Sequence, residues 1–327
     1  MNKKNILITG GCGYVGSSLA STLSKNKNYN VICVDNFSNS NKNVKDSIKK
    51  LGCKVESCDI KKVNIIENIV KKNNITHFVH LAAIVGDPAC KINPKLANDT
   101  NLNASKRLYK MCVKNNIKKF IFSSTCSNYG FSKNQLAKET TLLKPLSIYA
   151  KTKVGFERFL KKNYKKNKKT DIIILRFATV YGLSPRMRFD LTVNQFTRDL
   201  FFKKKLLVFA ANTSRPYCHV KDISLCIMKS INSKIKFNIL NVGLTKNNFS
   251  KKDIVNKISK YLFVKDVLLT DKKDFDRRDY KVSFEKIKIK LNFKAKKSLD
   301  FGIKEIINYV KKNKKKINFF SKRFSNI

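Results

Sequence analysis

A tyrosine and a lysine four positions apart are the first residues of this sequence that could do chemistry together. In the stretch S-I-Y-A-K-T-K, Tyr149 is followed by Lys153. On a helix this spacing places the two side chains on one face. A nearby ammonium group favours the phenolate form of a tyrosine, and such a tyrosine can take a proton from a hydroxyl group near neutral pH. The pair therefore indicates an acid/base site.

The spacing alone carries little information, because 70 of the 327 residues are Lys or Arg. The same spacing occurs at five tyrosines, which are Tyr129, Tyr149, Tyr164, Tyr217 and Tyr261. Only Tyr149 lies at the start of a helical stretch between the fifth and sixth predicted strands. A hydroxyl-rich turn, F-S-S-T-C-S-N-Y-G at 122–130, ends the fifth strand. A hydroxyl in that turn could hold a substrate oxygen while Tyr149 moves the proton.

A glycine-rich loop, G-G-C-G-Y-V-G from Gly10 to Gly16, follows the first predicted strand and begins the first helix. Such a loop lets a pyrophosphate approach the backbone N–H groups at a helix N-terminus. Asp35 ends the second strand, 19 residues beyond Gly16. A carboxylate there binds the adenosine ribose hydroxyls and repels a 2′-phosphate, so NAD is favoured over NADP.

In the first half of the chain, short apolar runs alternate with longer amphipathic ones. This pattern is typical of βαβ units, whose strands and helices would position these residues. The predicted strands are 6–9, 31–35, 54–57, 76–81, 119–123 and 172–177. The predicted helices are 14–25, 62–72, 94–115 and 147–163, followed by 191–203, 222–230 and 251–261. We expect an α/β fold, a doubly wound parallel sheet of the Rossmann type that binds its ligand at the carboxyl ends of the strands.

The domain organisation follows from a change in the sequence pattern after Gly182, where the regular alternation of strands and helices gives way to mixed segments. We expect residues 1–182 to form the NAD-binding domain, with 216–243 returning to it. Residues 183–215 and 244–327 are then a smaller substrate-binding lobe. The chain has only 5 Pro and 11 Gly and no stretch rich in them, so we expect the two parts to be interleaved.

The net charge of +48 could indicate binding to nucleic acid or to an anionic membrane. Lysine is abundant along the whole chain, however, and no basic stripe stands apart from a neutral remainder, so no specific nucleic-acid partner is expected. The basic run at 311–323 is expected to be a solvated tail, with contact to lipid head groups or RNA as the alternative.

The nine cysteines have no metal-ligand spacing. They are typical of small buried side chains in a reducing compartment, and no metal site is expected. Apolar runs stay below the ~18 residues of a membrane span. We therefore expect a cytoplasmic protein without a membrane span.

Together these features resemble the extended short-chain dehydrogenase/reductase family, and within it the NAD-dependent epimerase/dehydratase group that acts on nucleotide sugars. The resemblance covers nearly the whole chain. The further motifs that carry it are C-D-I at 58–60, H-L-A-A at 80–83, T-N-L-N-A-S-K-R-L at 100–108, L-R-F-A-T-V-Y-G at 175–182, R-P-Y-C-H-V-K-D at 215–222 and D-R-R-D-Y-K-V-S-F at 276–284.

The resemblance implies roles for particular residues. Thr125 would be the catalytic hydroxyl, Tyr149 the acid/base, and Lys153 the residue that lowers the pKa of the tyrosine and binds the nicotinamide ribose. The cofactor contacts that it implies are Gly10, Gly13, Tyr14, Val15, Gly16, Asp35, Asp59, Ile60, Ala82, Asn101 and Lys153. In relatives the position of Asn101 also orders the active site. The implied substrate contacts are Thr125, Thr179, Arg215 and Arg278, of which the two arginines would hold the nucleotide diphosphate.

The implied reaction is hydride transfer from a sugar carbon to NAD, which gives a keto-sugar. In an epimerase the hydride then returns to the other face of the sugar, and we expect activity most like that of the 4-epimerases. A nucleotide-sugar reductase or dehydrogenase of the same fold is the alternative. A non-catalytic relative that binds NAD and RNA is a further one. A homodimer is also implied, formed by the helices at 94–115 and 147–163.

Three departures from the family pattern qualify this expectation. Cys126 and Ser127 stand where dehydratases carry acidic residues, which argues against elimination, and Cys126 is expected to be a packing residue. Thr179 stands where many epimerases have asparagine. The segment 184–190 either shapes the choice of nucleotide or merely connects the two lobes.

Overall fold

The computed structural model describes residues 3–166, 168–271 and 278–326. The strands in chain order are β1 (Lys4–Thr9), β2 (Tyr29–Asp35), β3 (Lys54–Ser57), β4 (His77–His80), β5 (Lys119–Thr125), β6 (Phe131–Ala137), β7 (Asp171–Phe177), β8 (Thr179–Tyr181), β9 (Leu206–Phe209), β10 (Ser214–His219), β11 (Phe237–Val242), β12 (Asn248–Ser250), β13 (Val267–Thr270) and β14 (Asp279–Val282). The α-helices are α1 (Tyr14–Leu23), α2 (Lys42–Lys50), α3 (Val63–Lys72), α4 (Asp87–Ile92), α5 (Pro94–Asn98), α6 (Ser105–Lys114), α7 (Ile148–Lys166), α8 (Thr192–Phe201), α9 (Val220–Asn232), α10 (Lys251–Ser259), α11 (Glu285–Leu291) and α12 (Leu299–Asn313).

Seven parallel strands form the central sheet in the order β11-β7-β5-β4-β1-β2-β3. The predicted fold class is confirmed, and all six predicted strands lie in this sheet. The seventh strand, β11, pairs with β7 in parallel, with Phe237 opposite Ile172. Its sequence F-N-I-L-N-V is interrupted by Asn238 and Asn241 and therefore lacks the continuous apolar run of a central parallel strand. This composition explains why the strand was not predicted.

The core occupies both faces of the sheet because successive side chains of a strand point in opposite directions. Ile6 and Ile8 of β1 belong to a buried cluster that includes residues of α1 and α9. Leu7, between them, belongs to the opposite cluster, which includes residues of α3, α6 and α7. A third cluster contains Phe196 of α8 and Ile306 of α12, outside the central sheet.

The prediction of one continuous helix at 94–115 is wrong. A π-helical stretch, Asp99–Ala104, separates α5 from α6. This stretch carries Asn101, whose buried side chain both accepts a hydrogen bond from the Ile84 N–H (2.8 Å) and donates one to the Ile84 carbonyl (3.0 Å). Because π-helical turns shift the helical register locally, they are found often at functional sites.

The prediction of a solvated tail at 311–323 is wrong for Phe319. The lysines at 314–316 and Phe320 are exposed, but Phe319 is buried, and so is Phe324 just beyond the run. The rings of both lie 5.5 Å from the ring of Phe189, centroid to centroid. Burial of two aromatic side chains stabilises the docked segment more than its charges favour release into solvent.

The prediction that the cysteines are buried side chains is confirmed, since all nine are buried, and each of them is a free thiol. Within the described ranges, no group of His, Cys, Asp or Glu side chains could hold a metal ion. No helix in this part of the chain is both long and apolar enough to cross a bilayer.

Candidate active site

A cleft of about 690 Å³ lies at the carboxyl ends of the parallel strands. Consecutive strands of the sheet each contribute residues to its wall. The contributing residues are Asp59 and Ile60 after β3, Asp35 from β2, Gly10, Gly13, Tyr14, Val15 and Gly16 after β1, Ala82 after β4, Thr125 from β5 and Thr179 after β7. The strand order therefore brings together residues that are far apart in the sequence.

The turn between β1 and α1 has the shape of a diphosphate cradle. Gly10 has a φ of +68°, in the left-handed region that favours glycine. A Cβ atom on Gly16 would lie 2.0 Å from the Gly10 carbonyl oxygen, so no side chain fits there. No side chain caps α1, since its N-cap is Gly13. The open N–H groups and the positive end of the helix dipole suit the diphosphate of NAD.

Among the predicted residues of this turn, Tyr14 differs from the others because its side chain is buried. Val15 and Gly16 line it beside Gly13. The side chain of Tyr14 is buried, and its hydroxyl donates to the Gly182 carbonyl at 2.6 Å. This bond ties the start of α1 to the end of β8, so the tyrosine side chain has a structural contact in addition to its place in the cleft wall.

Asp35, the predicted partner of the adenosine ribose, lines the cleft. Its two carboxylate oxygens accept hydrogen bonds from the backbone N–H groups of Cys12 (3.0 Å) and Phe37 (2.9 Å). Burial raises the pKa of Asp35, and these two hydrogen bonds oppose the rise. The neighbouring Asp59 accepts the Lys61 N–H at 2.8 Å, which fixes the loop that also carries Ile60.

Thr125, Tyr149 and Lys153 all line the same cleft. Thr125 is the last residue of β5, and its hydroxyl accepts the Ser127 N–H at 3.1 Å. The same hydroxyl lies 2.7 Å from the Ser127 hydroxyl. Lys153 is buried on α7, where its ammonium donates to the Ser123 carbonyl at 2.8 Å. Its Nζ lies 5.7 Å from the centroid of the Tyr149 ring.

Burial dominates the titration of the Tyr149 and Lys153 pair. It raises the pKa of Tyr149, and the charges of Arg188 and Arg278 oppose that rise. Burial also lowers the pKa of Lys153 to about 7, and Cys90 and Glu157 oppose that fall. The neighbouring cations of the protein therefore do not by themselves bring the pKa of Tyr149 below its ordinary value.

A buried ion pair anchors α7, the helix that carries Tyr149 and Lys153, to the sheet. Glu157 follows Tyr149 and Lys153 by one further helical turn on the same face of α7. Its carboxylate binds Arg176 of β7, with an Nη2–Oε2 distance of 2.6 Å. It also accepts hydrogen bonds from the Ser124 hydroxyl and, at 3.0 Å, from the Asn128 amide. Sequence reasoning missed this pair, although the four-residue spacing continues from Tyr149 through Lys153.

Three of the four predicted substrate residues, all except Thr125, reach the cleft from the chain beyond β7. Thr179 begins β8 and is paired in register with Tyr217 of β10. Arg215 is buried on β10, and its guanidinium lies 5.2 Å from the centroid of the Tyr280 ring. Arg278 forms an ion pair with Asp87 at 2.9 Å. The structure therefore brings both arginines into the cleft that holds Tyr149.

The segment at 184–190 is part of the cleft wall as well as a connection. Arg186 is buried, and it donates to the Asn39 carbonyl (2.7 Å) and to the Ser325 carbonyl (2.9 Å). It thereby ties the loop after β2 to the docked C-terminal segment. The guanidinium of Arg188 binds both carboxylate oxygens of Asp190, at 2.9 and 2.6 Å.

Asn101, a predicted cofactor contact, does not line the cleft, whereas the predicted contact Ala82 does. Asn101 is buried behind the loop that follows β4, where its side chain forms hydrogen bonds with the backbone of Ile84. Its position suits ordering of the cleft wall more than direct contact with a cofactor. Cys126 is buried, and its thiol donates to the Arg176 carbonyl at 3.2 Å, in agreement with a packing role.

The sequence of the chain was compared with family models and with known proteins. The model of the NAD dependent epimerase/dehydratase family matches residues 6–243. UDP-glucuronate 4-epimerase of Thermodesulfobacterium geofontis is 27% identical over 94% of this chain and 96% of its own length. An uncharacterized UDP-glucose epimerase of Bacillus subtilis is 33% identical over 66% of this chain and 69% of its own.

Solved structures share the fold over nearly the whole chain. The structure of UDP-glucose 4-epimerase from Thermotoga maritima with UDP-glucose matches with a TM-score of 0.86 at 26% identity, covering 94% of this chain and 99% of that one. The diphosphate cradle and Asp35 fit the cofactor that the family name implies. The chain belongs to the NAD dependent epimerase/dehydratase family, and it is an enzyme of that family with NAD as its cofactor.

Proposed function

We propose that the protein is a nucleotide-sugar epimerase of the 4-epimerase type and that it acts on UDP-sugars. The observation that carries the proposal is the meeting of three groups in one cleft: the diphosphate cradle, the set Thr125, Tyr149 and Lys153, and the two arginines Arg215 and Arg278. The relatives named above, which include UDP-sugar 4-epimerases, support the choice of sugar nucleotide.

Each side chain of the set has a definite task in this reaction. Bound NAD supplies the acceptor, and later the donor, of a hydride, together with positive charge beside the phenol. Tyr149 takes the proton of the sugar hydroxyl as that carbon is oxidised, and it returns the proton on reduction. Thr125 holds the same oxygen. Lys153, in its protonated form, stabilises the phenolate and binds the nicotinamide ribose. The outcome would be a changed stereochemistry at that carbon without net redox.

We also propose that residues 183–215 and 244–327 form the substrate-binding lobe and that 216–243 return to the cofactor-binding domain. Arg215 and Arg278 come from the two proposed lobe segments. Within 216–243, α9 contributes Ile223 and Ile227 to the cluster that also contains residues of β1, and β11 extends the central sheet.

The proposal is tested by turnover of a panel of UDP-, GDP-, CDP- and dTDP-sugars by purified protein, with NMR identification of the product. A 4-epimer formed from a UDP-sugar, with no net change in NADH, is expected. Stoichiometric consumption of NADH without a new stereoisomer would instead identify a reductase.

The role of Tyr149 is tested by Tyr149→Phe, with Tyr164→Phe as the matched control. Both tyrosines lie on α7 and precede a lysine by four positions, but Tyr164 stacks on Phe237 at 4.8 Å and does not line the cleft. We expect Tyr149→Phe to lower turnover by about 10²–10⁴-fold with NAD affinity nearly unchanged. Tyr164→Phe should leave both quantities unchanged. Equal losses of turnover and NAD affinity in Tyr149→Phe would show that this residue is structural.

A further inference from the structure

The docked C-terminal segment, residues 319–326, packs against the cleft wall from outside the central sheet. The rings of Phe319 and Phe324 are buried against the ring of Phe189. All three residues belong to the third buried cluster. Asn326 of the same segment lines the cleft itself. The segment therefore connects an aromatic core to the cleft in which NAD would bind.

Two hydrogen bonds hold the docked C-terminal segment to residues 184–190. The Phe189 N–H donates to the Phe324 carbonyl at 2.8 Å. The Asn326 N–H donates to a carboxylate oxygen of Asp190 at 3.2 Å. Docking is therefore specific in register, since these bonds require one alignment of the two segments.

Arg186 connects the docked C-terminal segment to the loop that follows Asp35. Its guanidinium donates from Nη2 to the Ser325 carbonyl (2.9 Å) and from Nε to the Asn39 carbonyl (2.7 Å). Both Arg186 and Asn39 line the cleft. Because the N–H groups of a guanidinium have fixed directions, one side chain fixes the two carbonyls relative to each other.

The loop at 36–40 forms the part of the cleft wall that follows Asp35, the residue predicted to bind the adenosine ribose. Its residues line the cleft, except Phe37. The Ser40 hydroxyl donates to the Cys12 carbonyl at 2.9 Å, which holds the loop to the glycine-rich turn. Phe37 has a φ of +58°, which is uncommon for a residue with a side chain. A loop in such a conformation depends on surrounding contacts to keep its shape.

We propose that Arg186 is a positioning residue of the NAD site, and that through it the affinity for NAD depends on the docked C-terminal segment. When Phe319 and Phe324 leave the aromatic core, Arg186 loses one of its two acceptors and holds the loop at 36–40 less firmly. Binding of NAD and docking of the segment then favour each other. The inference rests on NAD binding in the cleft with its adenosine ribose at Asp35, and it does not depend on the sugar.

The first test measures NAD affinity by calorimetry for the wild type and for Phe319→Ala/Phe324→Ala. Neither residue lines the cleft. The double variant should bind NAD about tenfold more weakly or worse, because apparent affinity falls with the fraction of molecules in the competent state. Phe320→Ala is the matched control, since Phe320 lies in the same segment but is 42% exposed, and it should leave the affinity unchanged. Wild-type affinity in the double variant would overturn the inference.

The second test uses the wild type, so that no variant has to fold. Trypsin can cleave after Arg323, which is exposed, but Phe324 beyond it is buried, so cleavage requires the segment to undock. Saturating NAD should slow this cleavage by about the factor by which undocking weakens NAD. Mass spectrometry follows the initial rate, and cleavage after the exposed lysines at 314–316 is the internal control. A rate of cleavage after Arg323 that NAD does not change would show that the two events are uncoupled.

The third test separates positioning by Arg186 from the effect of its charge. Burial has the largest effect on the pKa of Asp35 and raises it, and the charge of Arg186 is among the influences that oppose the rise. Arg186→Lys keeps the charge but lacks the planar fork, whereas Arg186→Met lacks both. Both variants should bind NAD more weakly, by similar factors. Full affinity in Arg186→Lys would mean that the charge alone is sufficient and that Arg186 does not position the loop.

These measurements use NAD without a sugar nucleotide, which separates this inference from the proposed function. Coupling between NAD and the docked C-terminal segment would support the role of Arg186 even if no sugar nucleotide were turned over. Epimerase activity without such coupling would support the proposed function and refute this inference.

Discussion

Replacing Glu157 by glutamine is expected to destabilise the protein by about 3–5 kcal/mol, the usual cost of removing one member of a buried ion pair. The side chains of Glu157 and Arg176 are only 4% and 3% exposed. Burial alone would lower the pKa of Arg176, but the hydrogen bonds and charge of Glu157 more than compensate. Because a guanidinium does not lose its proton in proteins, Arg176 remains charged in the variant, without the counter-ion that Glu157 provides.

The size of the effect follows from the contacts of the carboxylate. Arg176 donates three hydrogen bonds to it, at 3.0, 3.2 and 2.6 Å, and Ser124 and Asn128 donate two more. The NH₂ group of a glutamine cannot accept a hydrogen bond, so it would face at least one of the N–H or O–H groups that now donate to the carboxylate, and that hydrogen bond would be lost. A loss of about 3–5 kcal/mol is a large part of the roughly 5–15 kcal/mol that stabilises a typical folded protein. The variant should fold but have a much lower denaturation midpoint.

Urea denaturation of the wild type and the variant measures this effect. The control is Glu285→Gln, which removes the carboxylate of an exposed pair with Lys288 and should leave the urea midpoint unchanged. The double variant Glu157→Leu/Arg176→Met should regain part of the loss, since it removes the unpaired charge but leaves Ser124 and Asn128 without their acceptor. The reasoning fails if Glu157→Gln has the midpoint of the wild type, or if the double variant is less stable than the single one.

Two further predictions concern pH and salt. Burial, together with Lys153, lowers the pKa of His80 to about 3 from 6.5, so below pH 6.5 the unfolded chain takes up a proton that the folded chain does not. The free energy of unfolding should then fall by up to about 1.4 kcal/mol per pH unit below that point; a His80→Gln variant with the same pH slope in urea denaturation would contradict this. A homodimer formed through α6 and α7 should become tighter with salt, because every fully exposed residue of these helices is Lys or Arg. Sedimentation at about 0.05 M and about 0.5 M salt measures this trend, and dissociation at the higher concentration would argue against that interface.

Local chemistry explains which parts of the site could be predicted from the sequence. The diphosphate cradle depends on glycines whose backbone geometry is a property of the turn itself, so Gly10 and Gly16 were identifiable. Tyr149 and Lys153 lie one helical turn apart, and their position between two predicted strands separated them from four other tyrosines with the same spacing. Long-range pairing was not predictable in this way. Asp87 and Arg278 meet only because the cleft brings two distant segments together.

The sequence by itself determined the α/β class, six strands of the central sheet and NAD as the cofactor, because these depend on periodicity or on the spacing of residues around one turn. It also predicted Tyr149 and Lys153 as a reactive pair from their spacing and position, and Thr125 through the family resemblance. Tertiary structure decided the rest. It added β11 to the sheet, divided the predicted helix at 94–115 with the π-helical stretch that positions Asn101, and buried Phe319 of the basic tail together with Phe324 just beyond it. It also gave Arg278 and Arg188 their carboxylate partners. The reason is that charge balance and burial depend on which side chains the fold brings into contact, and a linear pattern does not contain that information.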